Sequence, residues 1–213
     1  MHELNPMLQD IERYYSGKIA TCGRTPQGAD WRSAESQTMR FDQLLALIRP
    51  DGPFTINDYG CGYGALVNYL ENRGHHFTYR GFDISEKMIG EARQAHGQNP
   101  KCEFFSEKSL LSAADYTVAS GIFNVKLETS ESEWLKYILA TLKEFKALSR
   151  KAFAFNVLTS HSDQEFMRPH LYYADPVYLF DYCQKNFSRM VSLSHDYPLY
   201  EFTIAVRIPG GAD

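Results

Sequence analysis

Asp58-Tyr59-Gly60-Cys61-Gly62-Tyr63-Gly64 sets a carboxylate two residues ahead of three alternating glycines. Phe54-Thr55-Ile56 before it reads as a strand, and Ala65-Leu66-Val67-Asn68-Tyr69-Leu70 after it reads as a helix. The whole is therefore a strand, a glycine turn and a helix. Glycines remove Cβ atoms where a backbone turns sharply and lets a ligand approach the main chain, while a helix start supplies unpaired N–H donors. The natural guest of such a turn is a nucleotide-like cofactor.

Downstream, short apolar segments alternate with helical periodicity, the pattern of a mostly parallel sheet covered on both faces. Gly74 closes the helix that begins at Ala65. Residues 77–83 form the next strand, and Ser85 caps a helix carrying Met88, Ile89 and Ala92, with Glu86 in its first turn. Residues 101–105 and 116–122 make two further strands. Ser130-Glu131-Ser132-Glu133 is a capping box that opens a helix with Trp134, Tyr137, Ile138, Leu142 and Phe145 at core spacing. After a fifth strand at residues 151–158, residues 159–174 carry no assignable element. Asp175-Pro176 then reads as N-cap and first helical position, with Leu179, Phe180, Cys183 and Phe187 inward. The last two strands, residues 190–195 and 200–208, are joined too tightly for a parallel crossover and must pair antiparallel.

Upstream, Leu4, Met7, Leu8, Ile11, Tyr14 and Tyr15 recur at helical spacing, and Gly17 stands where that helix should stop. Residues 23–30 have a loop composition. A second helix follows with Phe41, Leu44, Leu45 and Ile48 on one face, ended by Pro50-Asp51-Gly52-Pro53.

The chain has 213 residues, enough for one full core, and its apolar residues are evenly spread, so residues 1–213 read as a single domain. Residues 1–53 form a helical lid and residues 54–208 the sheet core. A formal net charge of -4 gives no broad footprint for nucleic acid or anionic membrane. Cys22, Cys61, Cys102 and Cys183 are scattered, with neither metal-ligand nor disulfide spacing; they read as reduced thiols of a cytoplasmic protein that binds no metal. No apolar run approaches the ~20 residues of a membrane span.

Gly60-Cys61-Gly62-Tyr63-Gly64-Ala65 formally fits the dinucleotide pattern G-x-G-x-x-G/A, which leaves a nicotinamide or flavin cofactor and S-adenosylmethionine both open. Asp58 favours the latter, because its charge can hold the ammonium of an amino-acid-bearing ligand and would repel a pyrophosphate. Asp83, nineteen residues beyond Gly64, can accept bonds from ribose hydroxyls in either case. The closing hairpin again favours the sulfonium cofactor. With Gly81-Phe82-Asp83-Ile84-Ser85, Met88, Ala92 and Val118-Ala119-Ser120-Gly121-Ile122-Phe123 added, residues 54–208 resemble the class I S-adenosylmethionine-dependent methyltransferase family.

That resemblance implies an α/β, Rossmann-like fold with a seven-stranded, mostly parallel sheet in the order 3-2-1-4-5-7-6, strand 7 antiparallel and helices on both faces. It implies S-adenosylmethionine as cofactor and S-adenosylhomocysteine as product. The main chain at Gly60 and Gly62, with Cys61 between them, would hold the methionine part and Asp83 the ribose; Ile84 and Met88 would pack on the adenine, and Ser120 would lie near the sulfonium. Glu107 is the acid left to meet the adenine amino group, and Asn124 falls where the family places groups near the substrate. The stretch from Asp30-Trp31-Arg32-Ser33 to Gln37, Arg40 and Phe41, with Ser120 to Lys126, is also similar to a subgroup of bacterial small-molecule methyltransferases whose substrate is unassigned.

On the acceptor side, His161 follows the fifth strand at the ligand-binding end of the sheet and is a candidate general base. His170 and His195 are weaker ones. Tyr14, Tyr15 and Trp31 from the lid, with Tyr172 and Tyr173 from the unassigned region, are candidate substrate contacts. Arg40 is placed to pair with the cofactor carboxylate, and Trp31 to cover the sulfonium by a cation–π contact. The expectation is methyl transfer to an oxygen or nitrogen of a small molecule, with no nucleic-acid or membrane partner. The alternatives are a non-catalytic module that binds S-adenosylmethionine and, third, a nicotinamide-dependent oxidoreductase.

Overall fold

In the computed structural model, residues 5–48 and 52–210 are described, and they build one seven-stranded sheet ordered β3-β2-β1-β4-β5-β7-β6. The strands are β1 (Phe54–Tyr59), β2 (Phe77–Phe82), β3 (Cys102–Phe105), β4 (Ala114–Ala119), β5 (Ser149–Leu158), β6 (Val191–Ser194) and β7 (Glu201–Arg207). The first five run parallel, with Asp58 opposite Gly81 on one side and Val118 on the other. β7 is antiparallel to both β5 and β6, as the short turn between the last two strands requires.

Among the described residues six helices surround the sheet: α1 (Pro6–Cys22), α2 (Ala34–Ile48), α3 (Ala65–Asn72), α4 (Glu86–His96), α5 (Glu131–Leu148) and α6 (Pro176–Asn186). Alternation along the strands sorts the core into two layers. Phe153, Phe155 and Val157 of β5 join Phe202, Ile204 and Val206 of β7 on the face taken by Trp134, Ile138 and Phe145 of α5 and Leu179 of α6. The opposite face presents Ala152, Ala154 and Ala205, small enough for Phe41, Leu44 and Leu45 of α2 to settle directly on the sheet.

The caps fall where the sequence puts them. Ser85 Oγ accepts from Met88 N, Ser130 Oγ from Glu133 N, and Asp175 from the N–H groups of Val177 and Tyr178. Three expectations change. α1 does not stop at Gly17 but runs on to Cys22, where Gly23 at φ 61° ends it. β4 ends at Ala119 rather than at residue 122, because the chain turns out of the sheet at Gly121. Residues 159–174 hold a short 3-10 turn at Gln164–Phe166 and an isolated bridge between their own ends, Thr159 to Ala174, while a second bridge, Leu171 to Val125, lays the region against the loop after β4. Leu4 and the break at Pro50-Asp51 lie outside the described residues. No described helix is long and apolar enough to cross a membrane.

Candidate active site

The carboxyl ends of parallel strands gather in one place, and the reversal of strand order between β1 and β4 opens a crevice there. A cavity of about 910 Å3 occupies it, roofed by α1 and by the segment leading into α2. That volume stands near the top of the ~300–1,000 Å3 range of ligand pockets.

Asp58 comes from the end of β1. It is buried, and its Oδ2 accepts from the Tyr79 hydroxyl at 2.7 Å. Burial pushes its carboxyl up to about 7; the Tyr79 bond works against that and the neighbouring charge of Asp83 adds to it. Asp83 follows β2. Its two oxygens accept from Gly62 N at 2.8 Å and Ser85 N at 2.9 Å, which ties the glycine turn to the start of α4. Burial again raises its carboxyl, to about 6, against the pull of those two N–H groups, with Glu12 adding a smaller push. Two buried carboxyls held above their ordinary range mark a place that a positive charge would stabilise.

The glycine turn spends its donors internally. The N–H groups of Gly60 and Cys61 both donate to Phe82 O, and that of Gly62 to Asp83. A pyrophosphate needs such donors, so the turn suits an ammonium far better, through Asp58 and main-chain carbonyls. Gly60 is required by crowding as well as by its φ of 84°: a Cβ there would come within 2.2 Å of Ile122 Cγ2.

Of the residues expected at the site, Asp58, Gly60, Cys61, Gly62, Asp83, Ile84, Met88, Glu107, Ser120, Tyr15 and Trp31 line the cavity. Ser120 Oγ is buried and has no hydrogen-bond partner among the described residues, so it is a polar group waiting for a ligand atom. Burial raises the Tyr15 phenol well above its ordinary range.

Six expected residues stand elsewhere. Arg40 is buried outside the cavity, where its Nε donates to Glu201 Oε2 at 3.0 Å. Asn124 Oδ1 accepts from Leu158 N at 3.1 Å, holding the loops after β4 and β5 together. His161 is exposed, its ring 6.1 Å from that of His195. Tyr14 donates to Asp30 at 2.7 Å, beside the Lys18 ion pair to the same carboxylate. Tyr172 is buried in the core on the α5 side, and Tyr173 accepts from Arg168 N.

The cavity also holds residues that the sequence reading missed. Glu12 on α1 faces it, and Ser16, which donates to Glu12 at 2.5 Å, shares a 2.7 Å hydrogen bond with Ser85 at the head of α4. Leu8, Ile11, Glu12 and Tyr15 lie on one helical face, so an acid inside an apolar stripe was the available signal. Tyr137 of α5 lines the cavity too, its phenol raised to about 12 by burial. Gln37, which the sequence singled out together with Trp31 and Arg40, lines it as well and accepts from the Tyr63 hydroxyl at 3.2 Å.

With this geometry in view, residues 56–150 match the methyltransferase domain family. A Mycobacterium tuberculosis protein named "Putative methyltransferase Rv1506c" is 48% identical over 163 residues, which cover 76% of this chain and 98% of that protein. Among solved structures, the magnesium protoporphyrin IX methyltransferase of Synechocystis PCC 6803 with bound S-adenosylmethionine superposes with a TM-score of 0.68 at 16% identity, covering 98% of this chain and 100% of that one. The cyclase SpnF superposes with a TM-score of 0.63 at 13% identity, covering 89% of this chain and 75% of its own. At such identities these two structures speak for the fold alone.

Proposed function

The chain belongs to the class I S-adenosylmethionine-dependent methyltransferase family, and on that premise we propose that it transfers the methyl group of S-adenosylmethionine to an oxygen or nitrogen of a small molecule. The observation that carries this reading is the pair of buried carboxyls, Asp58 and Asp83, raised to about 7 and about 6 beside a glycine turn whose donors are already used. A ligand bearing an ammonium and a sulfonium restores what burial costs these groups. The pyrophosphate of a dinucleotide would set more negative charge beside Asp58, which weighs against the nicotinamide alternative.

When bound, S-adenosylmethionine supplies a methyl on positively charged sulfur: an acceptor lone pair forms the new C–O or C–N bond, the C–S bond breaks with its electrons on sulfur, S-adenosylhomocysteine leaves, and the acceptor's proton passes to solvent. Asp58 and the main chain of the glycine turn hold the amino-acid end. Asp83 keeps lone pairs for the ribose, and Glu12 faces it from α1 across the same space. Ile84 and Met88 flank the adenine, with Glu107 at the edge. Alignment and water exclusion supply the rate of an in-line displacement, and the roof of α1 and Trp31 serves both. His161 and Asn124 lie outside the cavity and carry no step in this reading.

Calorimetry with S-adenosylhomocysteine tests the proposal. Wild type should bind it in the cavity, and Asp83→Ala should lose at least about tenfold in affinity, the scale of a charge-assisted hydrogen bond. Absence of binding, or equal binding by Asp83→Ala, overturns it. Binding without turnover over a broad set of hydroxyl and amine acceptors would instead favour a non-catalytic module.

A further inference from the structure

We infer that the acceptor subsite is built on the Trp31 ring and takes an uncharged aromatic hydroxy or amino compound, with Arg40 and Glu201 as positioning residues behind that ring. The inference rests on the methyltransferase reading and names the class of acceptor that reading leaves open.

Trp31 is fixed from three sides. Its main-chain N–H donates to Pro26 O at 2.8 Å, so the 3-10 turn at Pro26–Ala29 sets where the residue stands. The rim of its indole fills the place of a missing side chain: a Cβ on Gly121 would lie 2.0 Å from Trp31 Cη2. The Arg40 guanidinium lies over the ring, 4.0 Å from its centroid, well inside the ~6 Å reach of a cation–π contact. Trp31 lines the cavity and Arg40 does not, so the ring stands between the guanidinium and the cavity.

The contacts behind the ring close on themselves. Arg40 Nε donates to Glu201 Oε2 at 3.0 Å, Asn156 Nδ2 donates to Glu201 Oε1 at 3.3 Å, and Gly121 N donates to Asn156 Oδ1 at 2.6 Å, which returns to the glycine that Trp31 covers. Glu201 is fully buried and Arg40 nearly so. Burying an ion pair is expensive, and here the result is a charge-neutral backing that sets the ring plane and the Gly121 backbone together.

The chemistry facing the cavity then selects the acceptor. With a cation already on one face, the indole is poorly placed to attract a second, and its remaining surface suits an offset aromatic ring. Beside it, the unpartnered Ser120 hydroxyl can meet the acceptor's own hydroxyl or amine next to the methyl-transfer position. Among the described lining residues an acidic acceptor finds no free cation to pair with. Among the described lining residues Lys108 carries the positive charge, and it is exposed and bound to Glu144 at 2.5 Å, while Arg40 is neutralised by Glu201.

Three probes test this by calorimetry on protein saturated with S-adenosylhomocysteine: 2-naphthol, its saturated counterpart decahydro-2-naphthol, and 2-naphthoate. The expected result is 2-naphthol bound about tenfold more tightly than either of the others, the scale of one good aromatic contact. Trp31→Leu should erase that preference. Arg40→Met should shrink the preference and Arg40→Lys recover part of it, whereas damage to the fold would weaken all ligands together. Equal binding of 2-naphthol and decahydro-2-naphthol, stronger binding of 2-naphthoate, or a preference that survives Trp31→Leu overturns the inference. If S-adenosylhomocysteine itself fails to bind, the methyltransferase reading falls first, and the same preference measured on the unliganded protein still decides whether Trp31 forms an aromatic platform.

Discussion

Asp58 has the Tyr79 hydroxyl as a partner and Asp83 as a like-charged neighbour, and burial outweighs the first. Its carboxyl rises from an ordinary 3.8 to about 7, so the folded chain holds a proton there that the unfolded chain gives up at lower pH. The sign follows from linkage: this contribution to stability is fully present below the ordinary value and is lost as pH rises through about 7. Asp83, raised to about 6, acts in the same direction. Asp58→Asn removes the titration with little change of shape. Wild type should therefore lose stability relative to Asp58→Asn as pH is raised from about 4 to about 7, seen in urea midpoints measured at several pH values. Saturating S-adenosylhomocysteine should flatten the difference, because the proposed function sets its ammonium against the ionised carboxylate, and binding near pH 6 should release protons, visible as a buffer-dependent heat. A difference that rises with pH would refute the assignment. This residue was legible because the fingerprint is local: Asp58 and the glycines lie within seven residues of chain, and Asp83 follows one strand later.

At the scale of elements, α1 is longer than its composition suggests. Gly17 is exposed, with nothing within 4 Å of where a Cβ would stand, and the helix passes through it to end at Gly23, whose φ of 61° makes it the true stop. Helix propensity lost to tertiary support: Ile19 packs beyond Gly17, and Lys18 pairs with Asp30 in the following segment. Gly17→Ala should stabilise the protein by about 0.5–1 kcal/mol, since it removes unfolded-state freedom and meets no neighbour. Gly23→Ala should destabilise it, because a side chain at that φ is strained. Thermal unfolding of the two variants gives shifts of opposite sign if α1 ends at Cys22, and of the same sign if it ends at Gly17. The strands, helix caps and closing hairpin were legible because periodicity, caps and loop length act over a few residues. The turn out of β4 at Gly121 was not, since what requires it is Trp31, ninety residues earlier in the chain. Residues 159–174 escaped a reading for a related reason: one of their two bridges, Leu171 to Val125, reaches the loop after β4, and the other, Thr159 to Ala174, ties the two ends of the segment to each other.

For the molecule as a whole, α2 and the sheet are joined by a bond that no local pattern announces. Arg40 lies on α2 and Glu201 at the start of β7, 161 positions apart, and Asn156 of β5 shares the same carboxylate. Arg40 reads from its neighbours as a surface or cofactor-facing cation; only the assembled sheet puts a fully buried acid beside it. The bond matters because α2 rests on the alanine face of β5 and β7, where small side chains offer limited apolar area, and its start carries the segment that roofs the cavity. Removing one partner should therefore cost far more than a surface ion pair. Arg40→Met alone leaves Glu201 buried and unpaired, and about 3–5 kcal/mol of stability should be lost. The double replacement Arg40→Met with Glu201→Leu removes both charges and should recover most of that loss, since an apolar pair of similar volume fills the space without desolvated charge. Urea unfolding of the two single variants and the double variant measures the coupling. A double variant no better than the worse single one would mean that Asn156 and Gly121, rather than the ion pair, hold the roof to the sheet.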